Sequence, residues 1–173
     1  MKHWFMLAVV GKDKPGIVAK LTEALFDLGC NLGEASMERL GDTFAIMLMV
    51  NYDGKQPDME NALAPVAETY ALRVHIDPIE HQLHHDMVPN VVVRVFGADQ
   101  AGIVAKVTRI MADQLINITS LETEVAGTEH APLYVMIIEA YAETSVEALQ
   151  KKMQSLNESG FDVRVSEVDV MLG

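Results

Sequence analysis

The chain carries the stretch GKDKPGIVAKLT at residues 11–22 and a close copy of it, GADQAGIVAKVT, at residues 97–108. At the same spacing of 86 positions, Asn31 is matched by Asn117. A sequence that resembles itself at a fixed period contains copies of one structural unit. The 173 residues therefore divide into two units of about 85 residues, each large enough to fold around its own core.

The hydrophobic pattern around both copies switches between the strand and helix periods. Residues 3–10 and 90–96 are apolar runs rich in β-forming residues, and helical spacing follows each Gly/Asp turn. A hairpin comes next, with Gly41-Asp42 as its turn in the first unit and a longer loop over residues 126–132 in the second. A second helix and a final strand complete the order βαββαβ. This order predicts an α+β fold of two ferredoxin-like sandwiches in tandem, each an antiparallel sheet covered by helices on one face.

The boundaries of the two units follow from the same pattern. We expect a first domain over residues 1–78, a linker over residues 79–88 and a second domain over residues 89–173. We expect Asp13 and Asp99 to be N-cap or first-turn carboxylates of the helices that follow them, and we expect Gly29 to end the first helix.

The linker is polar and rich in histidine, with His81, His84 and His85 close together. His81 and His85 have the i, i+4 spacing of two metal ligands on one helix face. The second unit supplies no acidic or thiolate partner for them. We therefore interpret the segment as a solvated connector that picks up stray metal at most, and we expect neither a functional metal site nor a cofactor.

Charge and cysteine content limit the possible partners and compartment. The formal net charge is −12, and no cluster of Lys and Arg could displace counterions from nucleic acid or bind an anionic membrane. The single Cys30 excludes an intramolecular disulfide, and we expect it to be a small buried side chain. Together with the absence of a signal-peptide pattern and of an apolar run that could span a bilayer, this predicts a cytoplasmic protein that contacts other proteins.

The repeated stretch has the chemistry of a small-ligand site. Its second glycine permits close backbone approach, and the N–H groups at the helix start can hold a carboxylate. The aspartate offers the opposite charge to an ammonium group, and the later asparagine can donate and accept. The alternative is a purely structural role, in which the aspartate only caps the helix and the asparagine only hydrogen-bonds within a turn. The candidate ligand-binding residues are Asp13, Gly16, Ile17 and Asn31 in the first unit and Asp99, Gly102, Ile103 and Asn117 in the second.

The pattern D-x-[PA]-G-I-V-A-K at the first helix, followed by N-[LI] at the second strand, resembles ACT domains over residues 1 to about 170. The resemblance implies sensing of small molecules, usually amino acids, at sites where ACT units meet. We also expect a homo-oligomer. A tandem pair without an attached enzyme or DNA-binding domain is similar to regulators of the glycine cleavage system type. For these, glycine or serine is the implied ligand and a DNA-binding activator the implied partner. The second copy has Ala101 in place of Pro15, so the two sites need not be equivalent.

No motif for catalysis is present in the sequence. The chain lacks G-x-S-x-G, H-E-x-x-H, a P-loop and G-x-G-x-x-G, and its histidines have no plausible nucleophile beside them, so we expect no enzyme. Three hypotheses remain: an amino-acid-responsive regulator that acts on a transcription factor, a regulatory subunit that tunes a metabolic enzyme, and an interaction module with a vestigial ligand site. The sequence does not separate the first two.

Overall fold

The structure is a computed structural model that describes residues 3–79, 88–98, 101–128, 131–157 and 160–168. The chain forms two compact units, Met1–His85 and Asp86–Gly173. Most of the predicted linker therefore lies outside the described residues, including all three of its histidines.

The first unit has the predicted βαββαβ order. Its elements are β1 (His3–Lys12), α1 (Ile17–Asp27), β2 (Asn31–Leu40), β3 (Thr43–Tyr52), α2 (Gln56–Tyr70) and β4 (Arg73–Ile79). The strands form one antiparallel sheet in the order β2-β3-β1-β4.

The second unit repeats this arrangement. Its elements are β5 (Val91–Gly97), α3 (Ile103–Asp113), β6 (Asn117–Thr128), β7 (Ala131–Tyr141), α4 (Val146–Asn157) and β8 (Asp162–Glu167). Its sheet has the equivalent order β6-β7-β5-β8. The predicted α+β class of two tandem ferredoxin-like sandwiches is confirmed.

Each unit buries one face of its sheet under its two helices. In the first unit, the alternate residues Leu7 and Val9 of β1 pack with Leu21 and Leu25 of α1. The second unit has the same kind of core, built from the residues Val93, Val95, Val107 and Met111. The other set of alternate strand residues lies on the face away from the helices, which we call the outer face.

The first glycine of each repeated stretch lets a core side chain pack directly against the backbone. A Cβ on Gly11 would overlap the side chain of Leu72, and a Cβ on Gly97 would overlap the ring of Phe161. Both of these side chains are buried. These two close contacts complete the core at the end of β1 in the first unit and at the end of β5 in the second.

The second hairpin differs from its prediction. Residues 126–132 were expected to form a loop, but β6 and β7 stay paired as far as Thr128 and Ala131. Pro132 is tolerated because β5 pairs with β7 only as far as Tyr134, so the missing N–H of Pro132 interrupts no bond to β5. Both strands are therefore longer than the sequence pattern suggested.

The first helix of each unit ends in the same backbone conformation with different residues. Gly29 follows α1 with φ 84°, whereas Leu115 follows α3 with φ 56°. In both places the next N–H bonds back into the helix, from Cys30 to Leu25 O at 2.9 Å and from Ile116 to Met111 O at 3.0 Å. Leu115 fits the helical spacing of the sequence, but its side chain is 94% exposed beyond the helix end.

We predict that Leu115→Gly stabilises the protein by about 1 kcal/mol, because a left-handed backbone costs a leucine roughly 1–2 kcal/mol and glycine much less. Denaturant unfolding of both proteins measures the difference. Leu115→Ala keeps the Cβ and should give no such gain. A loss of stability in Leu115→Gly would contradict this prediction, because it would mean that the strained backbone costs less than glycine adds to the entropy of the unfolded chain.

Candidate functional site

The second glycine of each repeated stretch begins the following helix. Gly16 precedes α1 with φ 91° and Gly102 precedes α3 with φ 87°, and neither helix has a capping side chain or an acidic residue in its first turn. Ile17 and Ile103 are buried and fix the helix starts to the core. The first N–H groups of such a helix have no intrahelical acceptor, so both loops can offer them to an anion.

Asp13 does not cap α1, contrary to the sequence expectation. Residues 14–16 separate it from the helix, and it is tied to the first hairpin instead. Its N–H donates to the carbonyl of Asp42 at 2.8 Å, and its Oδ2 lies 3.1 Å from Nε of Arg39. An exposed pair of this kind contributes about 0–1 kcal/mol, so Asp13 keeps much of its capacity to meet an ammonium group.

Arg39 is a residue that the sequence analysis missed. Only the register of β2 against β3, which places Arg39 opposite Phe44 beside the loop, brings it to Asp13. Its counterpart in the second unit is the exposed Val125, opposite Tyr134. Asp99, the counterpart of Asp13, lies outside the described residues.

The two asparagines lie far from the loops of their own units. Asn31 pairs with Asn51 at one end of β3, whereas Lys12 pairs with Thr43 at the other end. At about 3.3 Å per residue, this separation is roughly 26 Å.

The second unit repeats the separation. Asn117 pairs with Tyr141 and Gly97 with Tyr134, which places them about 23 Å apart along β7. The structure therefore brings Asp13, Gly16 and Ile17 together, and Gly102 with Ile103, but no unit combines its loop with its own asparagine.

Tyr70 distinguishes the first loop from the second. A Cβ on Gly16 would lie 3.2 Å from the Tyr70 hydroxyl oxygen, whereas a Cβ on Gly102 would have no described atom within 4 Å. Tyr70 is the last residue of α2, so the end of this helix brings its side chain to the loop. The first loop is thus bordered by a phenol hydroxyl that the second loop does not have among its described neighbours.

Asn31 lines an open groove of about 700 Å³ between α1 and the start of β2. Its lining residues are Ala19, Lys20, Thr22, Glu23, Phe26, Cys30, Asn31 and Leu32. Lys20 donates a hydrogen bond to the Glu23 carboxylate, which raises the pKa of the Lys20 ammonium group and keeps it charged. Burial raises the pKa of the Cys30 thiol, which disfavours a reactive thiolate and fits a structural side chain.

The described residues have neither a metal-binding cluster nor a membrane-spanning helix. In this part of the chain, no three His, Cys, Asp or Glu side chains are grouped to hold a metal ion. None of the helices within the described ranges is long and apolar enough to cross a bilayer.

ACT domain family models match the chain twice, over residues 3–77 and over residues 91–158. The chain belongs to the ACT domain family and contains two such domains in tandem. It is a regulatory ACT-domain protein, and the match points to regulation rather than to catalysis.

Its relatives include a repressor and two solved structures. The glycine cleavage system transcriptional repressor of Escherichia coli strain K12 is 23% identical over 150 residues, which cover 85% of this chain and 79% of the repressor. The crystal structure of an unknown protein from Galdieria sulphuraria has a TM-score of 0.83 at 25% identity, with 97% of this chain and 99% of that chain covered. A structure provisionally assigned as a glycine cleavage system transcriptional repressor has a TM-score of 0.68 at 18% identity, with 96% and 99% covered, and shares the fold.

We predict that Gly16→Ala destabilises the protein more than Gly102→Ala does. Both changes impose a left-handed alanine, at about 1 kcal/mol each, but only the first forces the Tyr70 hydroxyl to move. Thermal unfolding of the two variants gives the comparison. In a Tyr70→Phe background, the difference between them should shrink, and an unchanged difference would show that Tyr70 does not restrict the loop.

Proposed function

We propose that the protein is an amino-acid-responsive regulator that acts through a partner protein and modulates transcription in the manner of the glycine cleavage system repressors. The observation that carries the proposal is the pair of uncapped helix starts behind left-handed glycines, one in each unit. The similarity to the Escherichia coli repressor over 150 residues supports the regulatory role. The tandem ACT domains support a small amino acid as ligand.

The first loop fits a small zwitterion. The ligand carboxylate meets the N–H groups at the start of α1, and the ligand ammonium group meets the carboxylate of Asp13. Arg39 shares that carboxylate and lowers its negative potential. Tyr70 borders the same loop, which favours a short ligand such as glycine or serine over one with a long side chain.

The asparagine of the site comes from a different ACT unit. Asn31 cannot reach Asp13 of its own unit, because the length of β3 separates them. β2 is an edge strand and all ten of its residues are exposed. Edges of this kind are paired or covered in natural proteins. A homo-oligomer in which ACT units meet would bring one unit's loop to another unit's asparagine.

The regulated contact is with a protein in the cytoplasm. The net charge of −12 opposes direct binding to DNA, so control of transcription passes through a DNA-binding activator. The ligand changes this contact only to the extent that it binds the two states of the regulator with different affinity.

We predict that glycine or serine raises the melting temperature of the full chain. At ten times the dissociation constant, mass action adds about 1.4 kcal/mol, or roughly 3–5 °C. A panel of the common amino acids, tested by thermal unfolding, identifies the ligand. Asp13→Ala and Asn31→Ala should each reduce the shift at the same ligand concentration.

Two control variants make the same chemical changes, Asp to Ala and Asn to Ala, away from the proposed site. They show whether a smaller shift comes from lost ligand binding or only from the loss of a charge or an amide. Asp27→Ala and Asn61→Ala change exposed positions outside the proposed site and should keep the full shift. If no amino acid at millimolar concentration moves the melting temperature, the protein is not an amino-acid sensor. Capture of a metabolic enzyme in place of an activator would identify a regulatory subunit.

A further inference from the structure

The outer face of the second sheet carries an arginine in its central strand. Arg94 lies between Val93 and Val95, both of which point into the core, so its half-buried side chain is on the outer face. Its Nη1 donates to Oγ of Ser166 at 2.9 Å. Within the described ranges, no carboxylate lies within ion-pair distance of this guanidinium. Ser166 uses one of five N–H donors, and the remaining fork can take a carboxylate.

A carboxylate lies nearby on the same face without neutralising this arginine. Glu139 of β7 is exposed and opposite Val92, which places it diagonally across from Arg94. Diagonal neighbours of this kind have Cα atoms about 7–8 Å apart. Val92 forms an apolar floor between the two charges. The groove here has a volume of about 480 Å³ and is lined by Val92, Arg94, Glu139, Ser166, Glu167 and Val168.

The fold does not require these charges. The equivalent register of the first sheet places Ala8 where the second unit has Arg94, and Met49 where it has Glu139. Arg94 also lies directly opposite Arg164, a like-charged pair that costs stability. Arg164 is paired with Asp162 at 2.6 Å. Among the described residues of this face, Arg94 is therefore the cation that remains for a ligand.

We propose that this groove is a second ligand site, which binds a free α-amino acid as its zwitterion. The ligand carboxylate binds the Arg94 guanidinium and the ligand ammonium group binds the Glu139 carboxylate. A plain anion would be repelled by Glu139 and Glu167, and a plain cation by Arg94, whereas a zwitterion satisfies both charges. The site is contained in the second unit and uses none of the loop residues, so it does not depend on the loop site.

The test is a titration of the ¹⁵N-labelled full chain with glycine, serine and larger amino acids, in an Asp13→Ala/Asp99→Ala background that removes the carboxylate from both loop sequences. We expect saturable shifts of the amides at residues 92, 94, 139 and 166. Arg94→Gln should weaken this binding roughly tenfold or more, as the loss of a charge-assisted pair does, and Glu139→Gln severalfold. Arg109→Gln and Glu147→Gln make the same charge changes on helix surfaces of this unit and should leave the affinity unchanged.

The ligand chemistry and the folding of the variants are checked separately. An N-acetylated amino acid, which lacks the ammonium group, should bind much more weakly than the free one, and equal binding would overturn the proposal. An acidic peptide that binds Arg94 more tightly than any free amino acid would also overturn it. If Arg94→Gln does not fold, Arg94→Lys, which keeps the charge but not the fork, should still reduce the affinity. If amino acids shift the loop amides of the parent protein but not the amides on the outer face of the second sheet, this second site is contradicted and the proposed loop site is not.

Discussion

The antiparallel pairing of β1 and β2 with β3 is the constraint on which the functional geometry depends. It places the end of β1 and the start of β2 at opposite ends of one central strand. The loop after β1 holds uncapped N–H groups and Asp13, while the start of β2 holds Asn31. Loop and asparagine are about 26 Å apart in the first unit and about 23 Å apart in the second. The ligand site that we propose therefore needs residues from a second ACT unit.

The two units keep the same fold and have diverged in the residues around it. The first loop has Arg39 on its aspartate and the Tyr70 hydroxyl beside its glycine, whereas Gly102 faces open space among its described neighbours. On the outer faces, the second unit has Arg94 where the first has Ala8. Duplicated units of this kind can bind different ligands. The core residues hold the loops in place, and the residues that line the loops can change without changing the core.

The repeat and the hydrophobic periods were sufficient to predict the fold. The order of elements, the two sheets and the left-handed Gly29 follow from local patterns of apolar residues and glycine. The contributions of Arg39 and Tyr70 could not be predicted, since strand register and the end of α2 bring them to the loop. The distance between Asp13 and Asn31 in the folded unit could not be predicted from the sequence either. Eighteen positions along the chain say nothing about which end of a sheet each residue occupies.

We propose a site that combines the loop of one ACT unit with the asparagine of another. Its most direct test is a crystal structure of the full chain with the amino acid that raises its melting temperature. The account predicts that the ligand carboxylate contacts the N–H groups at the start of α1. It also predicts that a carboxamide from a different ACT unit contacts the same ligand. A ligand at the loop that is held by residues of one unit alone, with every asparagine distant from it, would contradict the account.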